Sequence, residues 1–273
     1  MGIAKVDCYW INDFEVETNR PVEIYVDKYP LTPIPKGTIR FCLSHEPHPH
    51  DSVKAFNHPE FYTYLLTWKE EHLARIPHAV FFEAHDTRVI DYEIKPKEFG
   101  VSTVVGEKGQ FAGHQMRHIL WFRKDEIKIP KKFYLSGNKK WREIDYTTIP
   151  SSMLLSEHSK DLLWDTQFHI CIENIPLMNF FTEKIIDCFI SKTVPVYIGA
   201  PNIGKFFNTD GIVVCNSLDD IIAKCNSLTP GMYETMIDAI EDNYKLAHDW
   251  IPHLPRFKAK INELIKEYDK LHP

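Results

Sequence analysis

The chain has 273 residues, enough for two modest domains or one large one. Its hydrophobic share of 44% and charged share of 26% are those of an ordinary soluble globular protein, and the many aromatics are read first as core. A formal net charge of −6 argues against a nucleic-acid coat or a basic membrane patch, so the "KIPKK" cluster at 128–132 reads as solvated surface.

The opening "MGIAKVDCYWINDF" lacks an apolar run of signal-peptide length, and no window reaches the length of a membrane span. Val6 breaks the myristoylation pattern that Gly2 would begin. Short β-like runs lie within 3–16 and at 22–26, and "YPLTPIPKG" at 29–37 is a proline-rich connection. "TIRFCLS" at 38–44 reads as a buried strand that ends in the loop "HEPHPHDS". The spacing predicts a helix over 58–76 and a strand over 78–84. A second series begins near residue 100, with a strand at 100–106, a helix at 114–127 and a strand at 131–137. "FHICIEN" at 168–174 is a strand, "TEKIIDCFIS" at 182–191 a helix with Thr182 as its N-cap, and "VPVYIG" at 194–199 another strand. A strand at 211–217, the helix "SLDDIIAKCNS" and two amphipathic helices complete the chain.

Strands alternating with helices predict an α/β protein with parallel sheets. Two such units joined near residue 100 imply a cleft, and ligands of these sheets sit outside the carboxyl ends of the strands. The six cysteines are scattered with no C-x-x-C pair, so they read as free thiols in a reducing, cytoplasmic setting.

The candidate chemistry falls at strand ends. Glu173 and Asn174 close an otherwise apolar run and lead to a helix whose first turn holds Glu183 and Lys184. A helix N-terminus suits a phosphate, and a bound diphosphate would offset the repulsion between Lys184 and the helix dipole. The alternative is an ordinary exposed first turn, with Asn174 a turn residue. Arg117 lies on a helix after the loop "GEKGQFAGH" and is either a phosphate fork or a surface arginine. In "SHEPHPHD" at 44–51, Glu46, His45, His48 and His50 are candidate proton acceptors, although the spacing matches no zinc signature. Asp51 and Glu83 are reserves for the same role.

The stretch "FHICIEN", then "TEKIIDCFISKTVPVYIGAPNI" and "FN", resembles the C-terminal signature of family 10 glycosyltransferases, the α1,3/4-fucosyltransferases. The likeness is good over 165–217, looser over 100–136, and confined to the general plan before that. It implies the GT-B arrangement of two Rossmann-like domains facing a cleft. Residues 1–99 would be an acceptor-binding domain, joined by a C-terminal helix over 255–273 that crosses back. Residues 100–254 would bind the donor. The resemblance further implies an inverting transfer that needs neither metal nor cofactor, from a nucleotide-sugar donor, typically GDP-fucose, to a glycan acceptor.

By position, Asn174, Glu183 and Lys184 would hold the donor's ribose, sugar and diphosphate, Arg117 would grip the diphosphate, and Glu46 would be the base. Two positions depart from the pattern: the base is flanked by His45 and Pro47, and a usual tyrosine is Phe180. Short relatives with this signature move other sugars, so xylose from UDP-xylose stands beside fucose. A non-catalytic nucleotide-sugar or glycan-binding module is the competing reading. Retained charge at Glu183, Lys184 and Arg117 argues against it. A dinucleotide-dependent oxidoreductase would need a GxGxxG turn, which the sequence lacks.

Overall fold

The computed structural model describes residues 1–8, 10–47, 55–83, 87–89, 92–137, 140–155 and 160–273. His48, His50 and Asp51, named above as proton acceptors, lie outside the described residues. The chain forms two compact units. One comprises Met1–His85, Met178–Phe180 and Pro252–Pro273, and the other Asp86–Leu177 and Phe181–Ile251.

The first unit carries β1 (Gly2–Asp7), β2 (Phe14–Val16), β3 (Val22–Val26), β4 (Ile39–Ser44), β5 (Tyr64–Thr67) and β6 (Ala79–Phe81), with the short helix α1 (Glu70–Arg75) before the last strand. The sheet order is β2-β1-β3-β4-β5-β6. β2 is antiparallel to β1, and the other neighbours are parallel. Alternate residues Val22, Ile24, Val26 and Ile39, Phe41, Leu43 pack in one cluster with Phe257, Ile261, Leu264 and Ile265 of the C-terminal helix His253–Leu271. Those four residues recur at helical spacing and form one apolar stripe, so the last helix closes the first sheet.

The predicted helix over 58–76 is not one helix. β5 occupies its middle, hydrogen-bonded between β4 and β6. Leu65 and Leu66 face opposite sides of the sheet, and both are fully buried. A strand covered on both faces loses the polar alternation that would mark it, and its apolar spacing then imitates a helix.

The second unit runs β7 (Glu98–Val105), α2 (Ala112–Arg123), β8 (Lys131–Ser136), β9 (Leu154–Leu155), β10 (Thr166–Ile172), α3 (Glu183–Ile190), β11 (Val194–Ile198), β12 (Val213–Val214), α4 (Leu218–Ser227), α5 (Pro230–Thr235) and α6 (Ile237–His248). The helix expected over 114–127 starts earlier and ends in a 3-10 turn, and the strand expected over 211–217 is reduced to Val213–Val214. The sheet is parallel throughout, in the order β12-β11-β10-β7-β8-β9. The chain therefore works outward from β7 to β9, then returns to the other side of β7 and works outward to β12.

Residues of β10 alternate between two cores. Phe168, Ile170 and Ile172 join Leu120 and Trp121 of α2, whereas Cys171 joins Ile185, Ile186 and Phe189 of α3. The helices that follow β7 and β10 thus cover opposite faces, and a crevice opens where the order reverses.

The units divide at 85/86, where sequence analysis placed the division near 99/100. Val89 explains the difference: it is buried in the second unit's core with Trp164, Phe181 and Ile185. Among the described residues no helix is long and apolar enough to cross a membrane.

Candidate functional site

The carboxyl ends of β7 and β10 flank a cavity of about 350 Å³, within the range of small-molecule sites. Arg117, Asn174, Glu183 and Lys184 all line it, together with Lys108 and His114. Four residues singled out in the sequence, spread over α2, a strand end and α3, are therefore gathered in one place.

Arg117 reaches from α2 to the end of β10. Its guanidinium donates to the Ile172 carbonyl and to Asn174 Oδ1, the latter at 3.0 Å. Burial pulls its pKa below the usual value, with the Glu173 charge opposing. The surface-arginine alternative is thus set aside, and the fork keeps further N–H groups beyond these two bonds. With Oδ1 taken by Arg117, Asn174 has its amide Nδ2 donors left for a ligand. Gly113 makes the approach possible. Its N–H donates to the Asn174 carbonyl at 2.9 Å, and a Cβ there would stand 1.8 Å from the Glu173 carbonyl oxygen.

His114 is a further donor that the sequence reading missed. The Phe111 N–H donates to its Nδ1 at 3.2 Å, which places the ring proton on Nε2. Burial, then the charges of Arg117 and Lys108, push its pKa down to about 4, so the ring stays neutral.

Glu173 organises the other wall. It is fully buried and accepts two hydrogen bonds from Thr182, from the N–H at 2.9 Å and the hydroxyl at 2.8 Å. Thr182 is the N-cap of α3, as expected, with its Oγ1 accepting from the Lys184 N–H at 3.3 Å. Lys184 Nζ lies 3.2 Å from Glu183 and 3.6 Å from Glu173. Burial works against its charge, but Glu183 and Glu173 outweigh it and raise its pKa. Glu183 and Glu173 thus already offset Lys184 against the dipole of α3.

Glu46 belongs to the first unit, just past β4, and its side chain is 45% exposed. Asp27 builds the turn that presents it, because Asp27 Oδ1 accepts the N–H groups of His45 at 2.7 Å and Glu46 at 3.0 Å. Burial would raise the Asp27 pKa, yet these hydrogen bonds and His45 lower it. Asp27 itself adopts a left-handed φ of 52°. The reserve residue Glu83 is fully buried. Among the described residues no group of three or more His, Cys, Asp or Glu side chains is placed to hold a metal ion.

The fold, with its reversed strand order and cavity at the strand ends, is of the GT-B class found in glycosyltransferases. Within that class the chain is similar to an alpha-(1,3)-fucosyltransferase of Helicobacter pylori, 37% identical over 57 residues, which is 21% of this chain and 12% of that protein. No protein-family model matches. Among solved structures, an alpha1,3-fucosyltransferase with GDP-fucose superposes with a TM-score of 0.52 at 17% identity, covering 82% of this chain and 70% of that one. HepE of Anabaena, in complex with UDP-glucose, gives 0.57 at 11% identity over 85% and 72% of the two chains.

Proposed function

We propose that the protein is a glycosyltransferase that moves a sugar from a nucleoside diphosphate to a glycan hydroxyl. One observation carries this reading: Arg117, Asn174, Glu183 and Lys184 line a single cavity at the point where the second sheet reverses its strand order. The fucosyltransferase-like segment makes fucose from GDP-fucose the favoured donor, with xylose from UDP-xylose the other.

The second unit then serves the donor and the first unit the acceptor. The leaving diphosphate gains negative charge as the glycosidic bond breaks. Lys184, Arg117, His114 Nε2–H and Asn174 Nδ2–H supply fixed positive and donor groups for it. They take the part a divalent ion plays elsewhere, which supports a transfer without metal. Glu46 takes the proton of the attacking hydroxyl, and attack opposite the leaving group inverts the anomeric centre. Glu183 holds sugar hydroxyls beside the oxocarbenium-like carbon. The unpaired thiols, five of six buried, are in keeping with a cytoplasmic protein.

The test is nucleotide release from GDP-fucose and from UDP-xylose over a panel of glycan acceptors, with and without EDTA. Acceptor-dependent release that survives EDTA is expected. Tight donor binding with no release on any acceptor would favour a non-catalytic binding module, and loss of release restored by a divalent ion would overturn metal independence.

A further inference from the structure

The turn that carries Glu46 is tied to the strand ends on both sides of β4. Ser44 and Thr67 are the last paired residues of β4 and β5, and beyond them side chains take over from the ladder. On the β3 side, Asp27 Oδ1 accepts the N–H groups of His45 and Glu46. On the β5 side, Trp68 follows the strand directly and donates its indole Nε1–H to the His45 carbonyl at 3.0 Å. The peptide bond that joins His45 to Glu46 therefore has both polar groups taken, the carbonyl by Trp68 and the N–H by Asp27. A planar unit held at its oxygen and at its nitrogen cannot swing, so the Glu46 Cα has a fixed place and direction. The His45 imidazole stands between two carboxylates, with Nδ1 3.7 Å from Asp27 Oδ2 and 3.9 Å from Glu46 Oε1.

Trp68 is itself firmly held. It is 2% exposed, and its ring packs on Phe180 with centroids 4.6 Å apart and planes at 44°. Asn179 Nδ2 donates to the Trp68 carbonyl at 3.1 Å. Asn179 and Phe180 are both buried, and Asn179 adopts a left-handed φ of 63°, which asparagine accepts more readily than most residues. They belong to Met178–Phe180, a stretch of the first unit whose neighbours in sequence, Leu177 and Phe181, belong to the second. In the chain this stretch lies between Asn174 and Glu183, two of the residues assigned to the donor. A buried indole needs an acceptor for its N–H. Here that acceptor is the carbonyl of the peptide in front of Glu46.

We propose that Trp68 is a positioning residue for the base: held by Asn179 and Phe180, its indole fixes the His45 carbonyl and with it the peptide that presents Glu46. The segment between Asn174 and Glu183 thereby also supplies the support of the proton acceptor. This rests on the reading of Glu46 as the base and adds how its carboxylate is kept in place.

Nucleotide release by the full chain, from GDP-fucose and from UDP-xylose over the same panel of glycan acceptors, is compared in the native protein, Trp68→Phe, Glu46→Gln and the double variant. Trp68→Phe keeps an aromatic ring against Phe180 and removes the N–H. It should lower kcat by about tenfold or more while the donor KM stays within about twofold. In the Glu46→Gln background the same substitution should lower kcat by no more than about twofold, because the group it would misplace is already gone. An equal fall in both backgrounds would make Trp68 a structural residue and overturn the proposal, as would full turnover in Trp68→Phe. Asn179→Gly keeps the left-handed backbone and removes the amide, and it serves should Trp68→Phe not fold. Turnover there should fall by about threefold or more beside Glu46 and by no more than about twofold beside Gln at that position, and equal falls would again overturn the proposal. Full turnover in Glu46→Gln would instead remove the base reading, and no release from either donor by the native protein would remove the transferase reading.

Discussion

Glu173 and Thr182 are joined twice across the start of α3: both carboxylate oxygens of Glu173 accept from Thr182, one from its backbone N–H and one from its hydroxyl. The pair fixes the helix end that carries Glu183 and Lys184. Glu173→Gln keeps the shape but removes the charge and one acceptor. It should cost about 2–3 kcal/mol of stability, read as a lower urea midpoint at unchanged slope. A midpoint equal to that of the native protein would remove Glu173 from this role.

Gly113 is held against the chain at Glu173 and Asn174, so closely that a methyl group would overlap a backbone oxygen. Backbone on both sides leaves nothing flexible to yield. Gly113→Ala is expected to destabilise by about 3 kcal/mol or more, at the upper end for overpacking, and to weaken nucleotide binding because Arg117 shifts with α2. Native stability in this variant would contradict the close packing described.

Lys184 is about one quarter exposed and balanced by two carboxylates. Lys184→Ala leaves Glu183 on the cavity wall, and Glu173 buried behind it, without their counter-charge. Affinity for a nucleoside diphosphate should drop by about tenfold or more, measured by calorimetry. Unchanged affinity would place the diphosphate elsewhere.

Glu46 is presented through backbone bonds to Asp27, which its side chain does not share. Glu46→Gln should accordingly leave the fold and donor affinity intact. Turnover should fall by about a hundredfold or more if this carboxylate is the base. Full activity would move the base to another residue.

Asp187 sits on α3 next to the cavity wall and holds the segment that carries Arg88. Its Oδ1 accepts from the Thr87 hydroxyl at 2.7 Å and the Arg88 N–H at 2.8 Å. Burial, then the Glu183 charge, push its pKa up to about 7. The unfolded value is about 3.9, so between the two the folded chain binds a proton that the unfolded chain does not. Its contribution is present at low pH and is lost as pH rises through about 7. Asp187→Asn can accept the same two hydrogen bonds without ionising. The variant should be more stable than the native protein at about pH 8, and that advantage should shrink as pH falls below about 7 and disappear only near about pH 4 or lower. A difference independent of pH would show that Asp187 does not titrate there.

Much of the second unit could be read in advance. The apolar run ending at Ile172, Thr182 at the head of an amphipathic helix, and the strand from Val194 are set by local composition and spacing. Their order along the chain also placed Asn174, Glu183 and Lys184 at strand and helix ends. Other features had no local mark. The strand Tyr64–Thr67 imitates helical spacing because it is covered on both faces, and Val89 draws its segment into the second unit only through a core built by distant residues.

What the sequence determined by itself was the inventory: two α/β series, and charged residues at the ends of particular strands and helices. Tertiary structure decided what those residues do. It put Arg117 onto the Ile172 carbonyl, turned Glu173 inward as the anchor of Thr182, and brought the buried Ser102 hydroxyl within 2.7 Å of His169 Nδ1. The reason is physical. Periodicity is a property of near neighbours, whereas the protonation, orientation and donor capacity of a buried polar group are set by whichever partners the fold brings within hydrogen-bonding reach, and here those partners lie tens of residues away.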